Sequence, residues 1–250
     1  MTGFSDHFGA VAGSYADFRP GYPPELFAWL AAQCAGQELA WDCGAGSGQA
    51  SVALAAHFAR VHATDASADQ VAHAEPHPCV EYRVAPAEQS GLPDRSADLV
   101  TVAQALHWFD LPAFYAEVRR ALKPGGVIAA WTYGVHVTEG DAVNAVVRHF
   151  YEHVVGPCWP PERRHVENGY RELPFPFTRI AAPEFTMQVR WPLAQLLGYL
   201  GSWSATARYR KLNGSDPLPA LRQQLLPLWG DPAQARSVSW PLSLLAGRLD

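Results

Sequence analysis

The chain has 250 residues, a formal charge of −5, 48% hydrophobic and 17% charged residues. That composition argues against disorder. The acidic balance, with only short basic clusters such as Arg163-Arg164 and Arg208/Arg210/Lys211, argues against a nucleic-acid partner. No run of about 18 apolar residues is present, so no membrane span is expected. The opening residues, Met1-Thr2-Gly3-Phe4-Ser5-Asp6-His7, lack the basic end and apolar core of a signal peptide. Cys34, Cys43, Cys79 and Cys158 show no CxxC spacing and read as reduced thiols, so a cytoplasmic protein is expected.

In chain order, residues 4–18 read as a short helix or ordered arm, broken by Arg19-Pro20-Gly21-Tyr22-Pro23-Pro24. Residues 24–35 have helical spacing, with Leu26, Phe27, Leu30 and Ala31 on one face and Gly36 as a cap. A strand over 39–43 leads into a glycine turn, then an alanine-rich helix over 50–58. A strand over 60–64 ends at Asp65, and a helix over 67–74 starts at a capping serine. Strands follow over 80–84 and 98–103, the second continuous and β-branched, as suits burial on both faces. A helix over 111–122 is ended by Lys123-Pro124-Gly125-Gly126, before a strand over 127–131. This alternation predicts an α/β fold with a parallel sheet and helices on both faces.

Beyond residue 134 the pattern changes. A helix is expected over 141–154, a loop or lid over 156–176, strands over 185–189 and 237–245, and a helix over 193–202. No linker divides the chain. The expected organisation is one domain over 1–250. Residues 1–134 form its N-terminal arm and sheet core, and 135–250 supply terminal strands plus an inserted cap.

The residues 41–48, Trp41-Asp42-Cys43-Gly44-Ala45-Gly46-Ser47-Gly48, carry the clearest chemical signal. Glycines let backbone turn sharply and let a ligand lie against it, and the following helix start offers free N–H groups. The spacing is neither the GxGxxG of a dinucleotide fold nor a P-loop. Asp42 would place negative charge beside a pyrophosphate, but suits a ligand carrying an ammonium and a sulfonium. Asp65, about twenty residues on, can accept from both hydroxyls of a ribose. Asp42, Asp65, residues 85–88 and residues 104–108 all fall at strand C-terminal ends, where ligands bind in such sheets.

These stretches, together with Tyr15-Ala16-Asp17-Phe18-Arg19-Pro20-Gly21-Tyr22-Pro23, Asp65-Ala66-Ser67, Ala87-Glu88, Ala103-Gln104-Ala105-Leu106-His107-Trp108-Phe109 and Leu122-Lys123-Pro124-Gly125-Gly126, resemble the class I S-adenosylmethionine-dependent methyltransferases. The likeness is to the small-molecule, type 11-like kind related to trans-aconitate methyltransferase. It covers residues 8–134 and extends more weakly to Gly198-Tyr199-Leu200-Gly201-Ser202-Trp203-Ser204. The resemblance implies a Rossmann-like, mostly parallel seven-stranded sheet and S-adenosyl-L-methionine as methyl donor. It also implies that Gly44, Ala45, Gly46 and Gly48 pass beneath the methionyl part, with Asp42 supporting that loop and the amino group. Asp65 would hold the ribose hydroxyls, Ala66 and Ser67 would flank the adenine, and Ala87 and Glu88 would face its edge. The Gln104 backbone would border the methionyl group. Tyr15 and Arg19 would close the site from the arm, with Arg19 a candidate for the donor carboxylate.

The acceptor is expected to be a small molecule, a carboxylic acid or similar oxygen nucleophile. The alternatives are N- or C-methylation of a metabolite, or a non-catalytic S-adenosylmethionine binder. If the acceptor needs a base, His107 is the candidate catalytic residue; otherwise it is structural. His149 and His153 have i, i+4 spacing without an evident third ligand, so no metal is expected. Trp159, Trp191, Trp203 and Trp240 line an acceptor pocket or simply fill the core. A monomer or homodimer is expected.

Overall fold

The structure, a computed structural model, describes residues 20–250. The arm expected over 4–18, with Tyr15 and Arg19, lies outside the described residues.

Helix α1 (Pro24–Gln33) starts with proline in its first turn, where no N–H is needed, and buries Leu26, Phe27, Leu30 and Ala31 as its spacing predicts. It ends at Cys34, so Gly36 is not its cap; a Cβ there would lie 2.8 Å from Asp98 Oδ1. Strand β1 (Leu39–Cys43) is buried throughout. Helix α2 (Gln49–Leu54), strand β2 (Arg60–Asp65) and helix α3 (Ala68–Ala72) follow. The Ser67 hydroxyl caps α3 by accepting the Gln70 N–H. Strands β3 (Val80–Val84) and β4 (Ala97–Ala103), helix α4 (Leu111–Ala121) and strand β5 (Leu122–Thr132) complete this half.

The main sheet has seven strands in the order β3-β2-β1-β4-β5-β10-β7, with β10 (Ser243–Arg248) and β7 (Thr178–Arg179) contributed by the second half. Strands β1 to β5 are parallel; β10 runs antiparallel to both its neighbours. Side-chain alternation sends Ala40 and Leu99 toward α1 and α2, and Trp41 and Val100 toward Phe114 and Val118 of α4. Chain order reverses between β1 and β4, which opens a crevice at their C-terminal ends.

Residues 123–126 do not separate helix from strand as expected. Strand β5 begins at Leu122 and carries them, with a register shift opposite Ala97–Leu99 and Gly125 at φ +74°. The glycines admit an irregularity that keeps pairing going.

A second, antiparallel sheet of β6 (Val137–Thr138), β9 (Arg236–Pro241) and β8 (Thr186–Trp191) lies in the other half. Around it stand α5 (Asp141–His149), α7 (Leu193–Gly201), α8 (Ser204–Asn213) and α9 (Leu218–Trp229), sharing a core of Val147, Phe150, Leu196, Leu225, Trp229 and Trp240. The helix expected over 141–154 ends as α5 at His149 and continues as a π-helical turn over Phe150–Val154. The loop expected over 156–176 contains a 3-10 turn, Gly156–Cys158, and helix α6 (Arg163–Glu167). The single strand expected over 237–245 is two. The chain breaks at Leu242, whose N–H donates to Phe185 O at 2.8 Å, and β9 and β10 join different sheets.

No helix among the described residues is long and apolar enough to cross a membrane.

Candidate methyl-donor and acceptor site

The turn after β1 is fixed by β2. Gly44 and Ala45 donate their N–H groups to Thr64 O at 2.8 and 3.0 Å, and the Gly46 N–H donates to Asp65 Oδ2 at 2.8 Å. The other Asp65 oxygen, Oδ1, accepts the Ser67 N–H at 2.8 Å. One half-buried carboxylate thus joins the glycine turn to the start of α3. Two glycines are required for different reasons. Gly48, at φ +89°, lies so close to the Tyr82 ring that an added Cβ would overlap the hydroxyl and sit 2.8 Å from Cζ. Gly46, at φ +57°, has only Gln70 Oε1 near, at 3.8 Å, so its backbone faces open space.

Asp42 sits beneath this turn, fully buried. Its Oδ2 accepts from Ser51 Oγ at 2.6 Å and its Oδ1 from Thr101 Oγ1 at 2.9 Å. Burial pushes its carboxyl up to about 6; the two hydroxyl bonds resist that rise, and the charge of Asp65 adds to it. Asp42 therefore ties β1 to α2 and β4, and supports the cradle from below.

Ala66 is exposed and Ser67 buried beside it. Ala87 is packed into the core that holds Trp41. Glu88 is half-buried, and its Oε1 accepts the Asp110 N–H at 3.1 Å, drawing the loop after β3 to the start of α4. Ala105 packs on Gly44, where an added Cβ would lie 2.7 Å from its own Cβ. Gln104 adopts the left-handed region, φ +59°. Its side chain is committed to the end of β5: Oε1 accepts from Thr132 Oγ1 at 2.5 Å and Nε2 donates to Tyr133 O at 3.2 Å. Left-handed backbone at a non-glycine residue persists only where surroundings enforce it, and such positions cluster at functional sites. The four sequence stretches therefore meet at one sheet edge, with Asp65 hydrogen-bonded to the glycine turn.

His107 lies in a 3-10 turn, Leu106–Trp108, after β4. Its Nδ1 shares a hydrogen bond with the Tyr170 hydroxyl at 2.9 Å, and its ring stands 4.7 Å from that of Trp108. Burial, then the charges of Arg163 and His165, lower its pKa to about 3, so the imidazole is neutral at ordinary pH. Tyr170 is fully buried and lies 63 residues further on. No local motif marks it as a partner.

Helix α6 packs on the same 3-10 turn. Its Arg163 stacks over the Trp159 ring at 4.6 Å and donates from Nε to Tyr151 Oη at 2.8 Å. Trp159 and Trp203 stand 5.6 Å apart, each within 5.5 Å of Tyr151. Trp191 and Trp240 belong instead to the interior of the second half: they lie 5.3 Å apart, and Trp240 Nε1 donates to Tyr199 Oη at 2.9 Å. Among the described residues, neither ring nitrogen of the buried His136, after β5, nor the buried Trp159 Nε1 has a partner. Sequence reasoning missed Arg163, His136 and Tyr170 as candidates. His149 and His153 rings are 5.1 Å apart, and no group of three metal-binding side chains occurs among the described residues.

The chain resembles proteins already known. A family described as methyltransferase domain matches residues 41–130. A protein of Dictyostelium discoideum, named as a methyltransferase, is 38% identical over 228 residues, covering 90% of this chain and 87% of its own length. An uncharacterized methyltransferase of Mycobacterium bovis is 34% identical over 74% of this chain and 69% of its own. A solved structure from Anaeromyxobacter dehalogenans, named as a type II methyltransferase, superposes with a TM-score of 0.87 and 49% identity, covering 92% of this chain and 98% of its own.

Proposed function

This chain belongs to the class I S-adenosylmethionine-dependent methyltransferases, and we propose that it methylates a small molecule at an oxygen nucleophile, a carboxylate in the first place. When bound, S-adenosylmethionine supplies a methyl group already activated on a sulfonium.

The residues present suit that donor. Asp65, held by two backbone N–H groups, presents a fixed carboxylate at the end of β2 for a ribose diol. A carboxylate accepts up to about four hydrogen bonds, so anchoring the turn and holding a diol are compatible. The open backbone at Gly46, with Gly44, Ala45 and Gly48, makes room for the methionyl part. Ala66, Ser67, Ala87 and Glu88 surround the place of the base, and the Gln104 backbone borders the reacting end. Tyr15 and Arg19 would close the site from the arm.

The observation that carries the acceptor reading is the neutral state of His107. An efficient general base has a pKa near the operating pH. A histidine lowered to about 3 is too weak to deprotonate a hydroxyl at neutral pH. A carboxylate needs no base, because it is ionised throughout that range. What remains for the protein is to position the acceptor and exclude water. In this reading His107 acts as a neutral hydrogen-bonding group held in place by Tyr170.

Donor labelled in the methyl group, offered with a panel of carboxylates, phenols and amines, tests this. The expected product carries label that alkali releases as methanol, the mark of an ester. Label found only in alkali-stable product would remove the carboxylate reading.

A further inference from the structure

Arg163 is half-buried on the short helix that packs against the His107 turn. Among the described residues no carboxylate lies within ion-pair distance of it. Its guanidinium lies over Trp159 at 4.6 Å and beside the Tyr151 ring at 5.5 Å, and among the described residues only its Nε is spent, on Tyr151 Oη. Tyr151 Oη in turn donates to Glu167 Oε1 at 2.6 Å, so that acid is occupied through the tyrosine rather than by the arginine. A guanidinium has five N–H donors in a planar fork that matches a carboxylate. Two aromatic faces fix the plane of this one, so little rotamer freedom is lost when a partner arrives.

The surroundings supply the rest of a binding surface. The buried Nε1 of Trp159 has no partner among the described residues. His136 is buried with both ring nitrogens unpartnered among the described residues, 6.4 Å from the Trp203 ring and 5.6 Å from Tyr199. Buried polar groups without partners are rare and costly, and mark a place where a water or ligand supplies them. Flat aromatic rings, one unpartnered indole N–H and one cation without a carboxylate among the described residues occur together beside the turn that carries His107.

We propose that Arg163 is the anchor for an anionic group on the methyl acceptor, and that the acceptor is a planar apolar molecule bearing that anion against Trp159. The inference rests on the methyl-acceptor reading of this cleft. The charge of Arg163 also reaches His107 and Tyr170. Arg163 acts in binding, as a specificity-determining residue.

The test uses the full chain saturated with S-adenosylhomocysteine and titrated calorimetrically with benzoate, phenylacetate, cinnamate and indole-3-acetate, each beside its carboxamide. Carboxylates are expected to bind at least roughly 10-fold tighter than their amides. Arg163→Gln is expected to bring them to the level of the amides, a loss of about 10- to 100-fold, the scale of a charged hydrogen-bond pair. Arg163→Lys keeps the charge without the fork and should fall between. Arg164→Gln, at an exposed neighbour, should change nothing. The proposal is overturned if none of the carboxylates binds, if acids and amides bind alike, or if Arg163→Gln leaves the acids unaffected. Donor binding by the Arg163 variants, measured separately, distinguishes failure of the anion anchor from failure of the donor site.

Discussion

Asp65 and Gly46 share a hydrogen bond, Gly46 N–H to Asp65 Oδ2 at 2.8 Å, so the acid at the end of β2 shapes the turn after β1. In the proposed donor site this carboxylate has a second duty, and removing it should be felt in both. Asp65→Ala is expected to weaken S-adenosylmethionine binding by about 1–3 kcal/mol, the scale of losing hydrogen bonds to a charged group. Asp65→Asn should lose less, since its carbonyl still serves one backbone N–H. Calorimetry checks both; donor affinity unchanged in the alanine variant would take Asp65 out of the donor site.

Asp42 makes stability depend on pH in an unusual direction for an acid. Its carboxyl is raised from 3.8 to about 6, so the folded protein holds the proton more tightly than the unfolded chain. The associated stability is present below about pH 4 and is lost as pH rises through about 6. Asp42→Asn removes this dependence. Relative to wild type, the variant should gain up to roughly 3 kcal/mol between pH 4 and pH 7, at about 1.4 kcal/mol per pKa unit. Parallel urea denaturation curves across that range check it; a constant difference between the two proteins would show that Asp42 titrates normally.

The contact of Gly48 with Tyr82 predicts a coupled pair. Gly48→Ala adds a Cβ into the Tyr82 ring at a backbone with φ +89°, and should destabilise by about 2 kcal/mol or more. Adding Tyr82→Ala should recover the steric part and leave the backbone strain of about 1 kcal/mol. Thermal denaturation of both singles and the double gives the coupling. Additive effects would mean that the ring moves aside freely.

His107 and Tyr170 form the remaining test. Because the imidazole stays unprotonated down to about pH 3, the pH profile of kcat should show no inflection near 6.5 from His107. Its depressed value contributes stability present above the unfolded pKa of about 6.5 and lost as pH falls toward 3. His107→Gln should therefore resist acid better than wild type. Tyr170→Phe strips the buried ring of its partner and should cost about 1–3 kcal/mol of stability. A kcat limb near 6.5 that disappears in His107→Gln would restore the residue as a base.

Residues with strong local signals were legible in the sequence. The strands Leu39–Cys43 and Val80–Val84 have the expected bounds: the first is a mostly apolar run ended by glycines, and the second alternates Val80, Tyr82 and Val84 with charged residues before Pro86. The glycine turn and Asp65 were readable because their chemistry is written in consecutive residues. Helix α8 was not: it buries only Ala205 and Thr206, so it shows no apolar stripe. Helix α9 contains Pro227, which reads as a break. Strands β6 and β7 are two residues each, too short for any period. Tyr170, Arg163 and His136 gain meaning only from neighbours distant in sequence, which no spacing reveals.

The second half leaves the main sheet after β5, rejoins it at β7, departs again and returns at β10, and these three strands are sheet neighbours. Thr132 and Ser243, where it departs first and returns last, are direct cross-strand partners. Both excursions therefore hang from one border, away from β1, β2 and β3, which carry most of the residues proposed to hold the donor. Such an arrangement behaves like interchangeable tooling on a fixed chuck. A chimera that transplants residues 133–177 and 185–242 together onto a related sheet should carry acceptor preference with it and leave donor affinity as it was. Either piece moved alone should yield a protein with a broken second core.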